Sequence, residues 1–227
     1  MVRMRPIQSK SAVLWIIAAV IYLVAEAVSA SAFPGYSYAS NYISDLGVPD
    51  VGVFQGRDID SPLHVVMNVA FALHGVLFAA AAVLTVRGTA WRAGARRGFV
   101  TLALVHAAGI ILVGLFPGSQ TNAGNGLIVF HVLGAAMAII AGNAAAIVAG
   151  STLRRHVPRW LGTASIVLGV VGIIGLVMLL VDSNSTAFSV LPDGVWERMA
   201  VYTILAWEAL VGVTALSTRT RLGRIGA

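Results

Sequence analysis

Six apolar stretches alternate with polar connections along the chain. They run over Ala12–Ala32, Leu63–Val86, Phe99–Phe116, Leu127–Ala149, Leu161–Val181 and Met199–Leu216. Each is long enough to cross about 30 Å of hydrocarbon as a helix. Each is also apolar all round, without the narrow stripe of a helix that meets water on one side. Strands of a membrane barrel would be shorter and would alternate, and these runs do not. The pattern predicts an all-α fold: a six-transmembrane-helix bundle, one membrane domain spanning 1–227 with no soluble appendage.

The basic residues give the bundle a direction. Arg3, Arg5 and Lys10 precede span 1, and Arg87, Arg92, Arg96 and Arg97 fill the connection between spans 2 and 3. Arg154, Arg155 and Arg159 lie between spans 4 and 5, and Arg219, Arg221 and Arg224 follow span 6. Of the 15 basic residues, only Arg57 and Arg198 fall on the opposite side. Short loops rich in Lys and Arg stay in the cytoplasm. Both termini are therefore expected there, in a multi-pass protein of the cell membrane. The carboxylates are distributed in the opposite sense. Of nine, all but Glu26 and Glu208 lie in the outer connections, and those two lie inside spans.

Composition follows from this topology. The chain is 58% hydrophobic and 11% charged, too apolar for a soluble domain with a wetted surface. The net charge of +6 reflects topology and contact with anionic lipid, not nucleic acid. With no cysteine, disulfides, thiolate metal sites and cysteine nucleophiles are excluded. The charged N-terminus before an apolar run resembles a signal peptide, with "SAF" as a mimic of a cleavage site, but the run has the length of a span. The exits "SAFPGYSYASNYI" and "GLFPGSQTNAGNG" echo one another as two Pro-Gly helix stops.

The first outer connection, 33–62, is the longest, and it places candidate chemistry at the outer face. Asn41, Ser44, Asp45, Asp60, Ser61, His64, Asn68, His131, Glu197 and Arg198 gather there by sequence position. Glu26 falls in the outer half of span 1, while His74, His106 and Glu208 fall near mid-membrane. His64, Asn68, Phe71 and Gly75 share one helix face, with His74 turned roughly 80° from it. Glu197 and Glu208, eleven residues apart, are nearly eclipsed. Ionisable groups at this depth are costly and face protein or water. Each also has a plain structural reading. Asp60 or Ser61 caps the helix that Pro62 begins, Ser44 and Asp45 form a turn, and the intramembrane groups are bonded within the bundle.

The set "NYISDLG", "SPLHVVMNVAF", "GLFPG", "FHVLGAA", "WERM" and "AWEAL" resembles the bacterial six-span membrane family known as domain of unknown function 998, over essentially all six spans. "ISDLG" is also similar to a segment of the damage-regulated-autophagy-modulator / FGF-receptor-activating-protein / Sfk group. The resemblance implies a six-helix fold and a link to lipid or lipid-anchor handling, and it points to Ser44, Asp45, Gly47, Ser61, Asn68, Pro117, His131, Glu197 and Arg198. The chain departs from it at Gly118-Ser119, where the family often has an acidic residue.

Four functions compete. The first is an outer-leaflet polar pocket for a lipid or lipid-linked headgroup, with Arg198 and Arg57 on a phosphate and Asp45 and Asn41 reading hydroxyls. The second is a metal-dependent lipid hydrolase with zinc on His64, His131 and Asp45 or Glu197, although no HxxxH or HExxH pair is present. The third is a transporter, with a proton relay through Glu26 and Glu208, or a haem carrier on His74 and His106. The fourth is a structural subunit that packs against other membrane subunits or itself through the small residues of "AAGNAAAIVAG". No cofactor is expected under the first reading, and the partners are membrane lipids.

Overall fold

The computed structural model describes residues 9–89, 91–153, 157–185 and 190–225. Arg3, Arg5, Arg154, Arg155 and His156 lie outside the described residues. Six long apolar helices form: α1 (Ser9–Ala32), α2 (His64–Gly88), α3 (Ala93–Leu115), α5 (Ile128–Leu153), α6 (Arg159–Ser183) and α7 (Asp193–Ile225). A short α4 (Gln120–Gly124) lies between α3 and α5. Each long helix covers the expected span to within one residue, Leu63, Phe116 and Leu127 falling just outside. Where helices exceed the apolar runs, as α3 does at its start and α7 at both ends, polar residues continue the backbone ladder out of hydrocarbon, where their side chains meet water. The protein is thus a multi-pass membrane protein built as an all-α bundle.

The helices follow one another round a ring. Each packs on its sequence neighbour, α3 against α5 most extensively, and α1 closes the ring on α7. Apolar side chains outside this ring are exposed, Val65 and Val132 to 60% and 61%, as expected where lipid is the solvent. Packing therefore depends on close approach of backbones rather than on escape from water. Gly109 and Gly134 carry the α3–α5 contact. A Cβ on Gly109 would lie 2.5 Å from the Ala138 nitrogen, and one on Gly134 would lie 2.7 Å from the Gly109 carbonyl oxygen. Asn143 adds a polar tie from α5 to α7, donating to the Ala200 carbonyl at 2.9 Å and accepting from Thr203 at 3.0 Å.

The core has two apolar clusters. One centres on Trp15, Phe78, Phe99 and Trp207, and the other on Tyr22, Met67, Phe71 and Leu205. The long connection 33–62 is folded as well. It holds a 3-10 turn at Ser44–Gly47 and a hairpin of β1 (Gly52–Phe54) and β2 (Arg57–Ile59), with Val53 opposite Asp58. Gln55 and Gly56, at φ 49° and 76°, make the two-residue turn that suits right-twisted strands. Val48, Phe54 and Ile59 bury together beneath it.

Replacing Gly109 with Ala forces backbone apart at the α3–α5 crossing and is expected to lower stability by about 1–3 kcal/mol. Gly98→Ala, on the same helix with open space around it, is expected to be neutral or mildly stabilising. Thermal unfolding of the two variants in one detergent reads the difference.

Candidate functional site

At the end of the bundle that carries the long connection, one guanidinium organises the surroundings. Arg198 sits on the second turn of α7, 7% exposed. Its Nε donates to Glu26 Oε1 of α1 at 3.2 Å, and Nη2 lies 3.1 Å from the same oxygen. Nη1 reaches the carbonyls of Tyr38, Asn41 and Gly194 at 2.6, 2.9 and 3.1 Å, and Nη2 donates to the Tyr36 hydroxyl. Tyr202 completes the Glu26 shell, donating its hydroxyl to the carboxylate at 2.9 Å. The Tyr38 ring lies under the guanidinium at 4.7 Å. Each guanidinium nitrogen of Arg198 therefore has an acceptor inside the protein.

A second pair fixes the 3-10 turn. Arg57 grips Asp45 in bidentate fashion, Nε to Oδ2 at 2.8 Å and Nη2 to Oδ1 at 3.2 Å, and lies 4.1 Å over the Tyr42 ring. Asp45 also accepts from the Tyr42 N–H at 2.9 Å and the Asn41 amide at 3.4 Å. Burial works against the Arg57 charge, but the bonds and charge of Asp45 outweigh it and raise the guanidinium above its ordinary value. Burial, and then the bond to Asp193, push the Tyr42 hydroxyl well up. Both residues hold the loop together, and the arrangement in which Arg57, Asp45 and Asn41 read a headgroup is not found.

The remaining expected site residues divide between two places. Ser61 donates to the Leu46 carbonyl at 2.7 Å, and Asn68 donates to the Gly47 carbonyl at 2.8 Å. These two bonds clamp the 3-10 turn onto α2. Gly47 is required there, since a Cβ would fall 2.2 Å from Asn68 Oδ1. Neither Asp60 nor Ser61 caps α2: the cap position is Leu63, without a side-chain bond, because the Ser61 hydroxyl is turned to Leu46. His64 pairs with the Ser61 carbonyl at 3.0 Å, and His131 pairs with the Phe116 carbonyl at 2.9 Å. Each imidazole is thus engaged with nearby backbone. Among the described residues no three His, Asp or Glu side chains converge as a metal-binding set.

Ser44 and Glu197 are brought together, with unexpected companions. They line a narrow cleft of about 40 Å³ that descends between α1, α2, α3, α5 and α7 to His74 and His106. Glu197 accepts the Ile43 N–H at its mouth. At the floor His74 Nε2 lies 2.9 Å from Glu208 Oε1, and the His74 and His106 rings stand edge to face at 5.3 Å. Phe78 packs on His106 at 4.2 Å. Rings this close, with an aromatic against them, leave no slot for a macrocycle, so the haem geometry is not found. Glu26 is separated from this chain of groups by its commitment to Arg198. Tyr36, Tyr38, Tyr42 and Tyr202 join the site although none of them is among the expected site residues. For three of them the signal was present in "GYSYASNY", which places Tyr36, Tyr38 and Tyr42 in the loop as three phenols beside an arginine-bearing helix.

The family described as "Protein of unknown function (DUF998)" matches residues 16–214, from the first turns of α1 to the last membrane turns of α7. No curated protein matches the chain, and no solved structure does.

Arg198→Ala strands Glu26 and three carbonyls at membrane depth, and is expected to cost about 3–5 kcal/mol. Tyr202→Phe removes a single donor and is expected to cost about 1 kcal/mol. Reversible unfolding in mixed micelles measures both. A weaker, pH-dependent tie runs from Asp50 to the Thr121 N–H at 2.9 Å, which holds that carboxyl below its usual range. A lowered carboxyl favours the folded contact above the ordinary Asp value and loses that contribution as pH falls through the folded one. Amide exchange at Thr121 is expected to accelerate at acid pH in the wild type and to be fast throughout in Asp50→Asn.

Proposed function

The chain belongs to the DUF998 family of proteins of unknown function, and we propose that it handles a lipid or lipid-linked molecule of the outer leaflet. The observation that carries this reading is an apolar groove of about 530 Å³ between α1 and α2. Val20, Val24 and Val28 on one side face Val65, Val69 and Leu73 on the other. Eight residue steps of helix on each side, Val20 to Val28 and Val65 to Leu73, give the groove a length of roughly 12 Å. It ends beneath the folded connection, at the end that the basic residues assign to the exterior.

A groove in hydrocarbon gains little from the hydrophobic effect, because bulk lipid is equally apolar. Its selectivity rests on fit along the chain and on polar groups at its mouth. α2 begins there with His64, next to Val65, and the Ser61 carbonyl occupies only one of its ring nitrogens. In this reading the other nitrogen meets the headgroup. The Arg198 lock and the Asp45–Arg57 pair hold the connection above the mouth rigid, so they position the site without contacting the lipid. Rigidity of this kind favours binding because little order is lost on capture.

Val24→Trp/Val69→Trp fills the groove from exposed positions without entering the core. Wild-type protein exchanged from a defined two-chain phospholipid into detergent is expected to retain lipid by native mass spectrometry. The double variant is expected to retain several-fold less, while Val132→Trp, on an exposed face of α5, behaves as wild type. Equal retention in all three overturns the proposal.

A further inference from the structure

The cleft that runs from Ser44 to His74 holds chemistry that lipid seating does not use. Its floor is formed by His74 and His106, which are 1% and 2% exposed. His106 Nδ1 lies 2.7 Å from the Ala138 carbonyl. A carbonyl only accepts, so Nδ1 carries the proton and Nε2 is left as a lone pair. That Nε2, His74 Nδ1 and Glu208 Oε2 are all buried without a hydrogen-bond partner among the described residues. Each such atom costs free energy away from water. Two of them belong to the imidazoles that line one void, His74 and His106, and call for an occupant that can donate to a lone pair. A void of about 40 Å³ admits two or three waters, each needing about 10–15 Å³ on this measure.

The cleft also has a polar upper end. Glu197 stands three helical turns, roughly 16 Å, above Glu208 on the same face of α7, and with Ser44 it lines the opening. Between the two ends the walls are Phe71, Ile110, Val113 and Val201. They seal the path from lipid.

We infer that His74 and Glu208 form a proton-binding site in the middle of the bundle, filled by water and reached from the long-connection end past Ser44 and Glu197. With one proton between His74 Nε2 and Glu208 Oε1, the pair carries a net negative charge and Nδ1 is an acceptor. A second proton passes from a cleft water to Nδ1, and that water regains one from the Glu197 side. The pair becomes neutral, and Nδ1–H becomes a donor that a water links to the lone pair of His106. Only N–H and O–H bonds are made and broken. The groups facing His74 are Tyr22 from α1, at 5.2 Å between rings and with Glu26 one turn above it, His106 from α3 at 5.3 Å, and Glu208 from α7 at 2.9 Å, with Glu197 of α7 at the other end of the cleft. The lining residues from α5, Ala135, Ala138 and Ile139, carry no ionisable group, and α6 adds none. This site is independent of the groove between α1 and α2, and either stands if the other fails.

The test uses the full chain with 15N-labelled histidine in lipid nanodiscs. Imidazole nitrogen spectra are recorded over roughly pH 5–8, where an unperturbed histidine changes charge. The expected result is that the resonance missing in His74→Gln responds to pH. Its ring N–H is expected to exchange with deuterated solvent within minutes, and at least tenfold more slowly in Val201→Phe, which narrows the cleft from a half-buried wall position. Glu197→Gln, which keeps the shape, is expected to slow exchange likewise. An unchanged His64 signal establishes that each variant is folded. A His74 signal indifferent to pH, or exchange equally fast in wild type and Val201→Phe, overturns the inference.

Discussion

The arginine–glutamate contact between α7 and α1 is the constraint on which the upper half of this molecule depends. A guanidinium cannot shed its proton in a protein, so placing Arg198 one turn inside a span commits the chain to an anion and to acceptors for all five N–H groups. Glu26 supplies the anion from the opposite end of the sequence, and the loop backbone supplies the carbonyls at Tyr38 and Asn41. One cation thereby ties α1 to α7 at this end of the bundle and binds the longest connection over it. The loop then has a fixed surface on which Asp45, Arg57 and the hairpin assemble.

This division explains why residues that look like a binding site are spent on architecture. Charged and amide groups near a membrane surface are equally suited to seizing a headgroup and to tying a loop. Which use prevails depends on whether the backbone leaves carbonyls and N–H groups unpaired nearby. The connection 33–62 is mostly turns, and its backbone has few ladder partners outside the short hairpin. Asn41, Asp45, Ser61, Asn68 and Arg198 satisfy those groups one by one. What remains for a ligand is the space the lock leaves open: a valine-lined groove on one side and, on the other, a cleft where two imidazoles each keep one nitrogen unpartnered.

The spans were legible because hydrocarbon imposes a length and a composition that few other constraints imitate. Helix ends were read less well, since polar residues such as Ser9 and Arg159 continue a helix without altering the apolar signal. The pairing of Arg198 with Glu26 was not readable. Both residues were visible as costly, but nothing local tells a residue near the start of the chain which partner it meets near the end. The hairpin was readable and passed over: Val53 and Phe54, then Gln55-Gly56, then Arg57 to Ile59 carry a two-residue turn with a glycine at its second place. His74 and His106 were placed at one depth by counting rise alone, and the structure adds that they touch. Counting could not show that Glu208 would complete the set, because rotation of α7 about its axis is decided by small residues packing elsewhere.

Glu26 and Glu208, two of the buried carboxylates, differ in what their partners can do. Glu26 is matched by an arginine, whose charge is permanent, and such a contact suits a lock. Glu208 is matched by a histidine, whose charge is conditional, and the pair can gain or lose a proton without losing its geometry. Ten residues of one helix separate Arg198 from Glu208, a rise of roughly 15 Å. Along that distance α7 passes from a fixed ion pair at the loop end to an adjustable one in the centre. Were the order reversed, a conditional charge would hold the loop and a permanent one would sit deepest in hydrocarbon, where an uncompensated ion is most costly. The order found here confines permanent charge to the end nearest water and leaves the interior with groups that can be neutral.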